Sequence, residues 1–180
     1  MCTAAKSTIV FAIGSTLRGD DGVGWRIGEI VEADPSYSSV QVVYTESLLP
    51  EHAAPLSVAD VAVFVDCSAK TMPGVVSTIE LHPATESPRI FTHHLDPASL
   101  LKLTQDLYGI APLHAFVITV GGESFELSEG ISGDLSEHVE AAIPAAIEAI
   151  RASLVCVETA MLQSEVSNFV TIGGAPPGSK

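Results

Sequence analysis

The sequence predicts an α/β fold, in which a mostly parallel sheet of four or five strands is covered by helices on both faces. Two observations support this prediction. Apolar, partly β-branched runs alternate along the chain with segments whose apolar residues recur at helical spacing. The 180 residues also suit one domain, and neither an internal repeat nor a linker divides them.

Five runs of residues are the predicted strands. The run at 7–13 is mostly apolar, and the run at 61–65 is an unbroken apolar segment typical of a central parallel strand. The run at 39–45 alternates between apolar and polar residues, which indicates a second strand. Further strands are predicted at 75–81, which is a candidate edge strand, and at 114–120.

Three helices are predicted between these strands. Apolar residues recur at helical spacing over 25–32. Pro50 suits the first turn of a helix over 50–58. A stripe of leucines that follows Pro97 and closes at Tyr108 and Gly109 indicates the third helix.

The C-terminal part of the chain is predicted to contain one more helix and a tail. The helix spans 135–154, and Pro144 is expected to kink or divide it. The periodic pattern fades from about residue 157. We therefore expect a folded domain at 1–156 and a disordered tail at 157–180.

The composition excludes several classes of partner. The chain has 8 Lys and Arg against 22 Asp and Glu, a net charge of −14, so nucleic acid and anionic membranes are poor partners. Cations or basic peptides suit it better. No apolar run approaches the roughly 20 residues that span a bilayer, and the start shows no signal-peptide pattern. The cysteines are odd in number and have no CxxC spacing, which favours reduced thiols in the cytoplasm: Cys2, Cys67 and Cys156.

A glycine-rich loop, GSTLRGDDGVG at 14–24, joins the first predicted strand to the first helix. In an open α/β sheet this position is the carboxyl edge, where ligands bind. Phosphate is an unsuitable ligand, because the lysine of a P-loop is missing and the carboxylates of Asp20 and Asp21 repel anions. The loop therefore indicates a site for a cation or a polar peptide. We expect Asp20 to serve the helix start, with its side chain turned toward backbone N–H groups.

Two further residues are expected at the same edge. Asp66 follows the central strand, so Asp21 and Asp66 are expected to face one cleft, although a carboxylate there is also a common turn or capping residue. His93 and His94 precede the third helix, where a metal ligand or a general base can stand. Most surface histidines have no such role, and the other four lie in settings that suggest none: His52, His82, His114 and His138.

With Asp21, Asp66 and His93 at these positions, the chain resembles the hydrogenase maturation endopeptidases. These are the proteases that process the large subunit of nickel-iron hydrogenase. That family carries a GN-x4-DD/DE-G-x-G loop after its first strand, an Asp at the end of a central strand and a His after a Ser/Thr-rich stretch. The match covers roughly residues 7–152, and Leu49-Pro50-Glu51 resembles an LxPE variant of one branch. Ser15 replaces the usual Asn, and the following leucines favour His93 over His94 as the family histidine.

The resemblance implies a single three-layer domain with a twisted, mostly parallel five-stranded sheet. It implies a metal-dependent or aspartic-type endopeptidase in which Asp21, Asp66 and His93 are both the catalytic residues and the metal contacts. The metal is nickel already inserted in the large-subunit precursor, whose C-terminal extension is then removed. Free zinc or cadmium could occupy the same site. A cytoplasmic monomer is expected, and the partner is the precursor.

A different class of function is compatible with the same residues. A metal- or ligand-binding α/β module that resembles a metallochaperone would also use an acidic sheet edge. Affinity for free nickel separates the two classes, because a chaperone should bind it tightly alone and a protease that recognises metal in its substrate should bind it weakly.

Overall fold

The computed structural model describes residues 7–86, 95–127 and 135–172. Within the last range, only the backbone is described at residue 158 and at residues 160–172. Its strands are β1 (Thr8–Ile13), β2 (Val40–Thr45), β3 (Val61–Ser68), β4 (Val76–Leu81) and β5 (His114–Gly121). Its helices are α1 (Val23–Ala33), α2 (Ala53–Leu56), α3 (Pro97–Tyr108) and α4 (Glu137–Ile172). Short 3₁₀ turns are formed by Gly19–Gly22, Pro35–Tyr37 and Pro50–His52.

The five strands form one sheet in the order β2-β1-β3-β5-β4. The pairs β1–β2, β1–β3 and β3–β5 are parallel, whereas β4 pairs antiparallel to β5 at the edge. The prediction of a single, mostly parallel five-stranded sheet is therefore confirmed. Because the chain leaves β1 first toward β2 and later returns to β3 on the other side, the strand order reverses between β1 and β3.

Two hydrophobic cores lie on opposite faces of the sheet, because successive side chains of a strand point to opposite faces. One core joins alternate strand residues to α1 and α4; it includes Val10, Val63, Ile118, Ile27 and Ile143. The other joins the intervening strand residues to α2 and α3; it includes Phe11, Phe64, Leu56, Leu100 and Leu103. Helices therefore cover both faces, as predicted.

Several predicted boundaries differ from the structure. The helix expected over 50–58 is a 3₁₀ turn followed by the short α2, which ends at Leu56 where the Ser57 hydroxyl donates to the Ala54 carbonyl, 2.7 Å away. Helix α4 continues through Pro144 without being divided. It also continues to Ile172, where a disordered tail was expected from 157; residues 173–180 lie outside the described part of the chain.

Strand β3 is longer than predicted, and the difference matters for the site. Its pairing with β1 ends at Val65, but its pairing with β5 continues through Asp66 to Ser68. Asp66 therefore lies inside the last part of β3 rather than after it. The end of β3 extends past the end of β1 and contacts the 3₁₀ turn of the glycine-rich loop.

We predict that Gly24→Ala lowers the free energy of unfolding, although alanine is the better helix former by about 1 kcal/mol. A Cβ at Gly24 would overlap the carbonyl oxygen of Ile13 and lie 2.9 Å from that of Val65, and these backbone atoms cannot move cheaply. Urea unfolding should show a net loss of about 2 kcal/mol. The control Glu29→Ala, on the exposed side of α1, should change the value by less than about 0.5 kcal/mol. Equal effects of the two changes would contradict this account of the packing.

Candidate functional site

The glycine-rich loop folds back so that Asp21 lies close to the end of β1. Gly14 has a φ of +125°, and a Cβ there would overlap the carbonyl oxygen of Asp21, so only glycine fits. The Ser15 amide donates a hydrogen bond to Asp21 Oδ2 at 2.9 Å. Ser15 thus supplies a backbone contact to the carboxylate at the position where the family usually has Asn.

Asp21 and Asp66 line one cleft of about 350 Å³ at the carboxyl edge of the sheet. The cleft lies where the strand order reverses between β1 and β3, which is the usual ligand position in open α/β sheets. Its walls include apolar side chains from β3, from the connection after β2 and from the connection before α3, among them Phe64, Leu48 and Leu95. The prediction that the two carboxylates face one cleft is therefore confirmed for this pair.

Burial perturbs the Asp66 carboxyl group. Removal from water raises its pKa from 3.8 to about 6, and the nearby Asp21 charge adds to this increase. A hydrogen bond from the Cys67 amide to Asp66 Oδ1, 2.8 Å long, acts in the opposite direction. A carboxyl group with a raised pKa at a ligand-binding edge is a candidate for proton transfer.

Cys67 lies beside Asp66 in sequence but faces the other side of the sheet. Its side chain packs against the core formed with α1 and α4. Burial raises the pKa of the thiol to about 12, and the charges of Asp20, Asp21 and Asp66 contribute to the increase. The thiol therefore stays protonated at neutral pH and is a poor metal ligand.

Asp20 has a different role from the predicted one. It does not cap α1, whose N-cap is Gly22. Instead its fully buried carboxylate accepts hydrogen bonds from the amides of Glu123, Ser124 and Ser136, at 2.8, 2.9 and 2.6 Å, and from the Ser136 hydroxyl at 2.9 Å. The side chain does meet backbone N–H groups, but these belong to the connection between β5 and α4.

The hydrogen bonds decide the charge state of Asp20. Burial alone would raise its pKa, but the bonds from Ser136, Ser124 and Glu123 outweigh that effect, so the pKa is lowered below 3.8. Asp20 is therefore ionised at neutral pH.

The predicted third ligand lies outside the described residues. His93 and His94 belong to the segment 87–94, so neither their place nor the choice between them is tested. Among the residues whose side chains the structure describes, no group of three His, Cys, Asp or Glu residues is arranged to hold a metal ion. The convergence of Asp21, Asp66 and His93 remains a prediction.

Other residues of the cleft were not predicted. Glu46 follows β2 and Asp96 precedes α3, and both line the cleft. Asp96 also caps α3, accepting from the Ser99 amide at 2.9 Å. The sequence could have indicated Glu46, because it directly follows a predicted strand and the carboxyl ends of parallel strands meet at one edge of the sheet.

The described helices give no membrane span: none of them combines the length and the apolar character needed to cross a bilayer.

We predict that Asp20→Ala strongly destabilises the protein at pH 7, because three buried amides and one hydroxyl lose their acceptor. The expected loss in the free energy of unfolding is about 3 kcal/mol or more. Since the pKa of Asp20 is lowered on folding, its contribution is present above pH 3.8 and is lost as the pH falls through the folded-state pKa. Urea unfolding at pH 7 and at pH 3 should show the difference between the two proteins narrowing in acid.

The control for that experiment is Asp34→Ala. Asp34 accepts bonds from Ser36 at the surface, so its loss should have a much smaller effect. Equal destabilisation by the two changes would show that Asp20 is an ordinary capping residue.

Solved structures share the fold of this chain. The hydrogenase maturating endopeptidase HybD from E. coli is 26% identical, with a TM-score of 0.63 and a match covering 82% of this chain and 91% of that one. The NiFe hydrogenase maturation protease HybD from Thermococcus kodakarensis is 22% identical, with a TM-score of 0.58 and coverage of 80% and 96%. The hydrogenase 2 maturation peptidase from a Thaumarchaeota archaeon is 24% identical, with a TM-score of 0.59 and coverage of 83% and 98%. Neither a family sequence model nor a curated protein sequence matches the chain.

These comparisons support the fold of the chain. The two archaeal structures support the fold, and the E. coli enzyme adds likeness in sequence over most of both chains. The glycine-rich loop and the paired carboxylates occur here in the order and at the sheet edge expected from the sequence. The chain therefore shares the fold of solved structures named as hydrogenase maturation endopeptidases, and it is similar to one of them in sequence.

Proposed function

We propose that this protein is an endopeptidase that removes the C-terminal extension of a nickel-iron hydrogenase large-subunit precursor after nickel insertion. The observation that carries the proposal is the cleft itself, where Asp21 and Asp66 meet at the point where the strand order reverses. Relatives of the same fold are named as proteases of hydrogenase maturation. A cytoplasmic location and a monomeric state remain predictions.

Nickel enters this proposal as part of the substrate. Two carboxylates and one imidazole are suitable donors for a divalent first-row ion. Asp21 and Asp66 would supply the oxygen atoms and His93 the nitrogen, and His93 precedes by two residues Leu95, which lines the cleft. Three protein ligands leave positions for the cysteines of the precursor, so free nickel, zinc or cadmium should bind only modestly.

The electrostatics of the cleft favour a cation. Asp21, Glu46, Asp66 and Asp96 all line it, and the whole chain carries a net charge of −14. Like charges close together raise the free energy of the empty site, and a divalent cation relieves that repulsion. A precursor that carries nickel would therefore enter more favourably than the same chain without nickel.

Asp66 is the better placed of the two carboxylates for proton transfer. With a pKa of about 6 it is mostly ionised at neutral pH and lies closer to the working range of a general base than an ordinary aspartate does. In the proposed step it takes a proton from a water molecule whose oxygen forms a bond to the scissile carbonyl carbon. The same proton then passes to the amide nitrogen as the C–N bond breaks, so the carboxylate is regenerated.

Two routes of activation are compatible with this step. In one, the nickel ion of the substrate polarises the scissile carbonyl. In the other, Asp21 and Asp66 act as an aspartic pair without help from the metal. The routes differ in whether the precursor needs nickel.

We predict that the purified protein releases the C-terminal peptide from nickel-loaded precursor and leaves chelator-stripped precursor intact. Mass spectrometry of the two reactions measures this. Equal cleavage of both precursors would favour hydrolysis by the carboxylates alone. Cleavage of neither, together with tight binding of free nickel, would contradict the proposal and support a metal-binding module instead.

A variant in the cleft and a control variant outside it test in the same assay whether the cleft carries out the cleavage. Asp66→Asn keeps the acceptor for the Cys67 amide but loses the base, so the rate should fall at least about 100-fold. Asp60→Asn is the control, because Asp60 accepts from the Ser7 amide at the opposite edge of the sheet. It should retain the wild-type rate.

A further inference from the structure

The two adjacent aspartates of the glycine-rich loop connect two separate parts of the protein. The Asp20 carboxylate accepts four hydrogen bonds from the connection between β5 and α4, two of them from Ser136. The Asp21 carboxylate lines the cleft and accepts from the Ser15 amide. One 3₁₀ turn, Gly19–Gly22, carries both side chains.

The backbone of this turn is held as firmly as the Asp20 side chain. The Asp20 amide donates to the Ser124 carbonyl at 2.9 Å, and its own carbonyl accepts from the Val23 amide. Gly19 has a φ of +52°, and a Cβ there would lie 2.8 Å from the Ser124 carbonyl oxygen. The turn therefore lies directly against the β5–α4 connection, with no space for a side chain between them.

Asp21 has far fewer restraints of its own. Its side chain is half-buried and, among the described residues, accepts one hydrogen bond, from Ser15, in contrast to the four bonds that Asp20 accepts. The place of its carboxylate in the cleft is therefore set mainly by the backbone of the turn. That backbone is in turn held by Asp20.

We propose that Asp20 is a positioning residue, which holds the turn against Ser124 and Ser136 so that the Asp21 carboxylate stays fixed in the cleft; its effect on cleavage rests on the proposed function. Asp20 does not touch substrate and acts through its neighbour. A reacting group displaced by about 1 Å can lose up to about 100-fold in rate, so partial release of the turn should be visible in kcat.

Ser136 offers a mild way to test this role. Its hydroxyl donates to Asp20 Oδ2, and it is not among the described residues that line the cleft. Ser136→Ala removes one of the four bonds and should leave the fold in place, since the bond from the Ser136 amide does not involve its side chain. Ser136→Thr keeps the hydroxyl. Ser153→Ala is the matched control, because Ser153 is a buried serine of α4 whose hydroxyl donates to the Ala149 carbonyl, without any link to Asp20.

The first measurement is the kinetics of cleavage of nickel-loaded precursor. Ser136→Ala should lower kcat about tenfold with KM nearly unchanged, Ser136→Thr should restore it, and Ser153→Ala should match the wild type. A wild-type kcat for Ser136→Ala would overturn the proposal. Equal losses in Ser136→Ala and Ser153→Ala would also overturn it, because they would report loss of folded protein only.

The second measurement does not depend on activity. The Ser15 amide donates to the Asp21 carboxylate, so its proton resonance in an NMR spectrum reports where that carboxylate lies. It should move upfield in Ser136→Ala and stay in place in Ser153→Ala. If the wild-type protein cleaves no precursor, the proposed function fails, while an unchanged Ser15 resonance in Ser136→Ala separately overturns the positioning role.

Discussion

The buried carboxylate of Asp20 is the interaction on which the site depends. Taking an ionised carboxylate out of water costs several kcal/mol, and the cost is met only where charge-assisted hydrogen bonds replace the lost water. Here three amides and one hydroxyl do so, all from segments more than a hundred residues later in the chain. The loop after the first strand is thereby joined to the end of the last strand and the start of the last helix.

Because of these hydrogen bonds, the adjacent residues Asp20 and Asp21 have different roles. Asp20 is committed to the interior, which leaves Asp21 to face the cleft with Asp66. Their arrangement does not favour stability, because Asp66 is partly buried and lies near a second negative charge. Perturbed carboxyl groups of this kind cluster at functional sites, where a ligand or a reaction compensates for their cost. The cleft therefore has the character of a functional site and not of a feature that stabilises the fold.

Local signals in the sequence predicted much of the fold and part of the site. The apolar runs identified all five strands. Because the carboxyl ends of parallel strands meet at one edge of the sheet, the sequence also predicted that Asp21 and Asp66 lie in one cleft. The partner of Asp20 could not be predicted, since no local pattern marks Ser136 as a donor to a residue so far away. The end of β3 was placed too early because Asp66 interrupts the apolar run, whereas pairing with β5 continues through it.

The central claim is that the partly buried Asp66 lines the same cleft as Asp21, and a carbon-13 NMR titration of the Asp66 carboxyl carbon tests it most directly. The account predicts that Asp66 titrates with a pKa of about 6 in the wild type. In Asp21→Asn the pKa should fall, by less than the full difference from 3.8, because burial is the larger cause. In Asp60→Asn it should not change. A wild-type pKa close to 3.8, or one that does not respond to Asp21→Asn, would contradict the shared cleft.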